Sequence, residues 1–257
     1  MTKEQEAIEL LKEHEPPEGY HLAFSGGKDS CVIKELAIRS GVKFESHFAI
    51  TSIDPHELLS FIKEHHPDVI WHRPEMTMYQ LIVKNGILPT GQRRYCCRYL
   101  KEYLGGNSVM ITGIRAKESP KRAKRNQVEI SEMDKTKKFV HPIFYWSEKD
   151  VWNYIRSNDI PYCKLYDEGF LRIGCIGCPM HTANQHTYEF NRWKQHKKAY
   201  LWAINKCIEN GSFKNFDNAE DVFSWWISGK STNEYFGDKE QLRFNMSVSK
   251  KENTDGS

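Results

Sequence analysis

Nowhere in these 257 residues does an apolar run approach the roughly 20 residues that a membrane-crossing helix needs. Strong charge of one sign is missing too. The 37 basic and 34 acidic side chains leave a net charge of +3, too small by itself to argue for a nucleic-acid partner. Two common phosphate-binding signatures are absent: no G-x-x-x-x-G-K-[ST] occurs, which removes a Walker loop, and no G-x-G-x-x-G occurs, which removes the dinucleotide fingerprint. The opening stretch, MTKEQEAIELLKEHE, has an acidic-basic helical pattern and no apolar signal core, so the expected location is the cytoplasm, without membrane attachment. Thiols stay reduced there. The seven cysteines are therefore expected to be ligands, nucleophiles or core residues and not disulfides. No internal repeat is present.

What is present first is alternation. Over the first 150 residues or so, strand patterns alternate with helix patterns, the prior for a parallel sheet covered by helices. Tyr20–Phe24, residues 42–50, Asp68–His72 and residues 108–115 read as strands, and 139–146 as a further extended run with Pro142 at an edge. Val32, Ile33, Leu36 and Ala37 share one face of an intervening helix that Gly41 stops. Asp54 is expected to cap a helix at DPHE and Ser147 another at SEKD. RRYCCRYLKEYLGG reads as a helix closed by Gly105. The polar stretch between Ile114 and Phe139 is expected to be a mobile loop. One long helix is expected through Trp193, Tyr200 and Ile208, and a shorter aromatic one around Val222–Ile227. The fold class is α/β: a Rossmann-like parallel sheet of about five strands flanked by helices, with a C-terminal helical extension. The expected division is a nucleotide-binding domain over 1–180, the extension over 181–244, and a disordered tail over 245–257.

Between the first strand and its helix stands FSGGKDS. Gly26 and Gly27 let the backbone turn sharply and approach a ligand without a Cβ in the way. The amides that follow begin a helix, where unpaired N–H groups and the dipole favour an anion. Ser25 and Ser30 add hydroxyls, Lys28 adds a flexible positive charge, and Asp29 is expected as a cap or a ligand to magnesium. Six consecutive residues with a phosphate role, in strand–turn–helix context, outweigh the reading as a plain turn. The segment resembles the PP-loop of the N-type ATP pyrophosphatases. That resemblance implies a grip on the β,γ-phosphates of ATP while the α-phosphate is attacked.

Four cysteines come in two pairs: the adjacent Cys96 and Cys97, and Cys175 with Cys178 in RIGCIGCPM. Adjacent cysteines are expected to point apart and so to hold one small ion awkwardly, whereas a cluster of several irons gives each thiolate its own acceptor. A structural zinc, a redox dithiol at Cys175 and Cys178, and unrelated thiols remain open beside the cluster.

Five ordered stretches carry a wider likeness: SGGKDS at 25–30, YCCRYLK at 95–101, ITGIRAKESPKR at 111–122, HPIFYWSEKDVWNYI at 141–155 and PYCKLYDEGFLRIGCIGC at 161–178. Over about residues 20–180 the sequence looks like the phosphoadenosine phosphosulfate (PAPS) reductase family, within the adenine nucleotide alpha hydrolase superfamily, and specifically its iron–sulfur branch of adenylylsulfate reductases. The resemblance implies a 4Fe-4S cluster on Cys96, Cys97, Cys175 and Cys178, with zinc as the alternative metal. It implies that Arg115, Ser119 and Arg122, with Gly113 beside them, handle the anionic end of the nucleotide. Lys28, Asp29, Arg115 and Arg122 are the expected catalytic group.

Two departures from the family pattern shape the expected function. The reductases carry a Glu-Cys-Gly-Leu-His segment whose thiolate attacks the sulfonucleotide, and no cysteine follows Cys207 here; Cys207 reads as a core thiol and Cys163 as a remote substitute. The complete S-G-G-K-D-S loop also fits relatives that use ATP itself. The leading expectation is therefore an enzyme that binds ATP and Mg2+, cleaves at the α-phosphate and activates a substrate for sulfur transfer from a donor protein. The alternative is a sulfonucleotide reductase with an external thiol such as thioredoxin. A third is a non-catalytic nucleotide or nucleic-acid binder using the basic run 115–125 and the tryptophans at 193, 202, 225 and 226. The sequence leaves the oligomeric state open.

Overall fold

The computed structural model describes residues 1–237. The expected tail over 245–257, and the end of the extension up to 244, lie outside the described residues. The described chain divides into two compact units, one of Met1–Met78 with Arg94–Cys175, the other of Tyr79–Arg93 with the chain from Ile176 onward. The change of unit falls inside the C-x-x-C, between Cys175 and Ile176.

The first unit is built on a sheet. Its strands are β1 Tyr20–Ala23, β2 Phe44–Ala49, β3 Ile70–His72, β4 Val109–Ile111, β5 Val128–Ile130 and β6 Lys138–Val140. Their order is β3-β2-β1-β4-β6-β5, and every neighbouring pair is parallel except β5 with β6. The strand order reverses between β1 and β4, so a crevice opens beyond their C-terminal ends, where ligands of such sheets bind. Helices α1 Lys3–Glu13, α2 Lys28–Ser40, α3 His56–His65, α5 Tyr95–Leu100, α6 Pro120–Ala123 and α7 Glu148–Ser157 belong to this unit. Tyr20 and Leu22 point to one buried side of β1, and the Tyr20 hydroxyl donates to the Leu11 carbonyl of α1 at 2.7 Å. Val32, Ile33, Leu36 and Ala37 are fully buried on α2, and Gly41 ends that helix in the left-handed region at φ 72°.

Several local expectations shift. Asp54 does not cap α3; its carboxylate accepts from the Thr51 amide and hydroxyl, both at 2.7 Å, and Pro55 takes the cap position. Ser147 caps α7 as expected, in a reciprocal capping box with Asp150. The helix at RRYCCRYLKEYLGG is short, only Tyr95–Leu100, because Lys101 leaves helical geometry. The extended run expected over 139–146 is strand only to Val140, and a turn follows.

The stretch between Ile114 and Phe139 is the larger correction. It holds a 3-10 turn over Ala116–Glu118, then α6 with Ser119 as its cap and Pro120 at its start, then β5. Charge builds it: Arg122 pairs with Glu118, and Arg125 pairs with Glu129. A row of basic residues therefore reads as a loop in sequence but is folded around acidic partners.

The second unit is helical: α4 Met78–Asn85 from Tyr79 onward, α8 Ala183–Arg192, α9 Lys194–Glu209 and α10 Ala219–Ser228. The single helix expected through Trp193 is two. Trp193 sits at φ −102°, ψ 65°, outside helical geometry, closing α8 by its amide to Glu189 O and opening α9 by its carbonyl to His196 N. Phe190, Tyr200, Phe223 and Trp226 form the aromatic core here.

Candidate functional site

The glycine turn leaves the C-terminal end of β1 and becomes the first turn of α2. Gly26 has φ +71°, and a Cβ there would lie 2.6 Å from Leu58 Cδ1 and 2.8 Å from Ile62 Cδ1. Only glycine fits, both for the backbone angle and for the close approach of α3. Gly27 caps α2 with no side-chain hydrogen bond, and it lines the cavity described below. Ser30 Oγ donates to Gly27 O at 2.7 Å and lies 3.2 Å from Ser25 Oγ, which ties the ends of the turn together. The Lys28 amide, one of the unpaired groups of the first turn, donates to the Tyr166 hydroxyl at 2.9 Å. Burial pushes the Tyr166 phenol up, so it stays neutral and keeps its proton to donate.

Beside the turn runs a chain of charges. Lys28 is buried, its ammonium 3.3 Å from Asp29 Oδ2 and 3.3 Å from Glu148 Oε1. Arg115 is 3% exposed and bridges the same two carboxylates, Nε to Asp29 Oδ1 at 2.6 Å and a terminal nitrogen to Glu148 Oε2 at 2.8 Å. Burial works against the Arg115 charge, but Asp29 and Glu148 more than offset it and hold it above the usual arginine range. Burial likewise raises Glu148, and Lys28 with Arg115 outweighs that and holds it below the usual carboxylate range. Both Asp29 oxygens are engaged by cations, and Gly27 rather than Asp29 takes the cap position of α2. Gly113, two residues beyond β4, lies against this turn; a Cβ there would come 3.1 Å from Asp29 Cβ.

These groups surround a cavity of about 190 Å3. Ser25, Gly27, Lys28, Asp29, Ser30 and Gly113 line it, as does Arg122. Gly26, Arg115 and Ser119 do not: Gly26 packs on α3, Arg115 stands behind the carboxylates, and Ser119 caps α6 by accepting from the Arg122 amide at 3.2 Å. Arg122 is thus held in place by its own cap. Sequence reasoning missed four contributors. Tyr166, Glu118 and Arg172 line the cavity and Glu148 supports Lys28. All four lie within the stretches that carry the family likeness, but nothing in the sequence marks them as neighbours of the glycine turn.

Of the four paired cysteines, Cys96, Cys97 and Cys175 belong to the first unit and Cys178 to the second. Cys96 is buried and Cys97 partly exposed at the start of α5. The two thiols act on each other's ionisation, Cys97 pushing Cys96 up and Cys96 pulling Cys97 down. Cys175 Sγ lies 3.6 Å from Thr51 Oγ1, the hydroxyl that Asp54 holds. Lys101, also missed in the sequence, is pushed above the usual lysine range, first by the Cys175 sulfur. Among the described residues no group of three or more His, Cys, Asp or Glu side chains stands close enough together to hold a metal ion.

Cys163 and Cys207 are both 0% exposed, and burial raises both thiols. Cys207 Sγ lies 3.5 Å from Ile82 O, in keeping with a core thiol. A Cys163 nucleophile has no access to a substrate. Trp193 and Trp226 are buried core residues, which takes them out of a nucleic-acid face; Trp202 is exposed.

Comparison with known proteins adds four findings. Residues 19–181 match the family described as phosphoadenosine phosphosulfate reductase domain. The adenosine 5'-phosphosulfate reductase of Staphylococcus haemolyticus is 30% identical over 187 residues, covering 68% of this chain and 76% of that protein. Adenosine 5'-phosphosulfate reductase 1 of Bacillus subtilis is 28% identical over 182 residues, 66% of this chain and 78% of that protein. A crystal structure of phosphoadenylyl-sulfate reductase from Candida auris, a phosphate complex, superposes with a TM-score of 0.51 at 18% identity over 66% of this chain and 87% of that one. At that identity the likeness speaks for the fold.

Proposed function

Because the chain belongs to the phosphoadenosine phosphosulfate reductase family, we propose that it is a sulfonucleotide reductase: it takes adenosine 5'-phosphosulfate into the cavity at the glycine turn and returns AMP and sulfite, using an external dithiol. The observation that carries this reading is the convergence on one small cavity of a helix start, two serine hydroxyls, Lys28, Arg122 and Arg172. Such donors suit the anionic end of a nucleotide. The relatives' own names supply the reaction class.

The reaction balances as follows. A thiolate of a thioredoxin-like partner attacks the sulfonyl sulfur, the bond from sulfur to the phosphate oxygen breaks, and AMP leaves with the electron pair. The partner's second thiolate then attacks the sulfonated cysteine, forming a disulfide and releasing sulfite. Sulfur gains two electrons and the dithiol loses two. This chain's part is to hold the phosphate while negative charge returns to it, with donors already in place before the bond breaks. Lys28 and Arg122 supply charge, Tyr166 a hydroxyl, and Arg115 positions Lys28 through the shared carboxylates. The thiol is assigned to a partner because Cys163 and Cys207 are enclosed.

We assign Cys96, Cys97, Cys175 and Cys178 to an iron–sulfur cluster, on the all-thiolate donor set and the mutual influence of the three that share the first unit. A cluster there, with its four thiolates, would carry net negative charge and polarisable sulfur facing the Lys101 ammonium. Iron and acid-labile sulfide after anaerobic purification test it, and an unchanged iron content in Cys175→Ser removes it. A second reading, ATP cleaved at the α-phosphate in the same cavity, is favoured by the complete S-G-G-K-D-S loop but weakened by the engaged Asp29. One assay separates the two. Sulfite and AMP from adenosine 5'-phosphosulfate with reduced thioredoxin support the reductase; AMP and pyrophosphate from ATP–Mg2+ without sulfite release support the pyrophosphatase.

A further inference from the structure

The first unit holds a second and larger cavity, of about 660 Å3. Met110 of β4 and Phe139 of β6 are register partners, so they lie side by side and form an apolar floor, which Ile114 and Leu104 extend. The rim is basic. Arg98, Lys101, Arg125 and Lys137 stand against two carboxylates, Glu102 and Asp134.

Two of the four cations are already committed. Lys137 is buried and its ammonium donates to Glu102 O and Leu104 O, both at 2.8 Å, while Arg125 pairs with Glu129. Lys101 leans on the Cys175 sulfur. Arg98 is exposed and makes no hydrogen bond or ion pair among the described residues. An apolar hollow of this size, with an uncommitted guanidinium at its edge, has the make-up of a small-molecule site: the floor gains from covering an apolar body and the cation fixes an anionic end.

We propose that this cavity is a binding site, separate from that of the nucleotide, for a small amphipathic anion: an aromatic body bearing a carboxylate or sulfonate. Ile114 lines both cavities, so the two occupants are neighbours. The proposal holds whichever nucleotide the smaller cavity takes, and it fails or stands independently of that reading.

The test uses the full chain and the fluorescent arylsulfonate 8-anilinonaphthalene-1-sulfonate. The expected result is saturable binding of one dye per chain, weakened about tenfold or more in Arg98→Glu and persisting under saturating adenosine 5'-phosphosulfate. Met133, whose side chain is exposed at the rim, gives a second variant, Met133→Glu, that repels the anion without touching the core. Thermal unfolding of both variants is expected to match the parent. Absence of saturable binding overturns the proposal. So does binding that both variants leave unchanged, since the dye then sits elsewhere. Displacement of the dye by the nucleotide overturns it too, because the cavity then belongs to the nucleotide site.

Discussion

The Arg115 guanidinium meets the Asp29 carboxylate at 2.6 Å, Nε donating to Oδ1, although the two residues stand 86 positions apart in the chain. The bond ties the start of the 3-10 turn that follows β4 to the first turn of α2, and through Glu148 it also reaches the start of α7. Three elements that shape the cavity are fastened at one buried cation.

Removing that cation leaves two carboxylates facing each other with only Lys28 between them. Breaking a buried pair costs about 3 to 5 kcal/mol, and the partial exposure of Glu148 pulls the value toward the lower end. Arg115→Ala is expected to lose about 3 kcal/mol in urea unfolding. Arg115→Lys keeps the charge but not the two-pronged reach, and falls between. A full-strength Arg115→Ala protein would show that the cation does not hold the turn.

The two loop glycines are expected to separate. Gly26→Ala drives a Cβ into Leu58 and Ile62 at a positive φ, so it loses about 1 to 3 kcal/mol of stability. At Gly27 the nearest side-chain atoms to a new Cβ are 3.4 and 3.5 Å away and φ is −76°, so Gly27→Ala folds normally. Its effect falls on nucleotide affinity, since the new methyl lines the cavity. Thermal unfolding and a binding titration of each variant check the split. Equal stability losses contradict it.

Tyr166→Phe removes the hydroxyl that meets the Lys28 amide. Affinity for adenosine 5'-phosphosulfate is expected to fall about tenfold, or about 1.4 kcal/mol. Unfolding should move by about 1 kcal/mol, the usual net worth of one hydrogen bond. Unaltered affinity would place the phenol outside the ligand's reach.

Acid is expected to unfold the protein early. Burial lowers His141 to about 4, with Arg125 adding to the effect, and burial with Lys34 lowers His66 to about 4. In the unfolded chain both sit near 6.5, so as pH falls the unfolded state takes up protons first. The stability these two contribute is complete above about pH 6.5 and is lost as pH falls through about 4, on the order of 3 kcal/mol each. Urea midpoints at about pH 7.5 and about pH 5 measure the loss, and a flat profile contradicts it.

The residues that made the site legible were those whose chemistry is local. SGGKDS announces strand, turn and helix within a few positions, and the structure puts its serines, Gly27, Lys28 and Asp29 around one cavity. Ser147 and Asp150 form their capping box because both partners are three residues apart. What stayed hidden depends on distance along the chain. Nothing near Arg115 says that its partners are Asp29 and Glu148. Nothing near Tyr166 says that its hydroxyl meets the Lys28 amide. The stretch after Ile114 reads as a loop because nothing in the order of its residues says that Glu118 and Glu129 pair with Arg122 and Arg125. Trp193 looked like the middle of a helix because its break is a matter of φ and ψ and not of residue type.

The central claim is that the smaller cavity receives the anionic end of a sulfonucleotide. Calorimetric titration of adenosine 5'-phosphosulfate into the parent chain and into Arg122→Glu tests it directly. One nucleotide per chain is expected for the parent, with a loss of about tenfold or more in affinity for the variant. No heat with the parent, or equal affinity in both proteins, would contradict it.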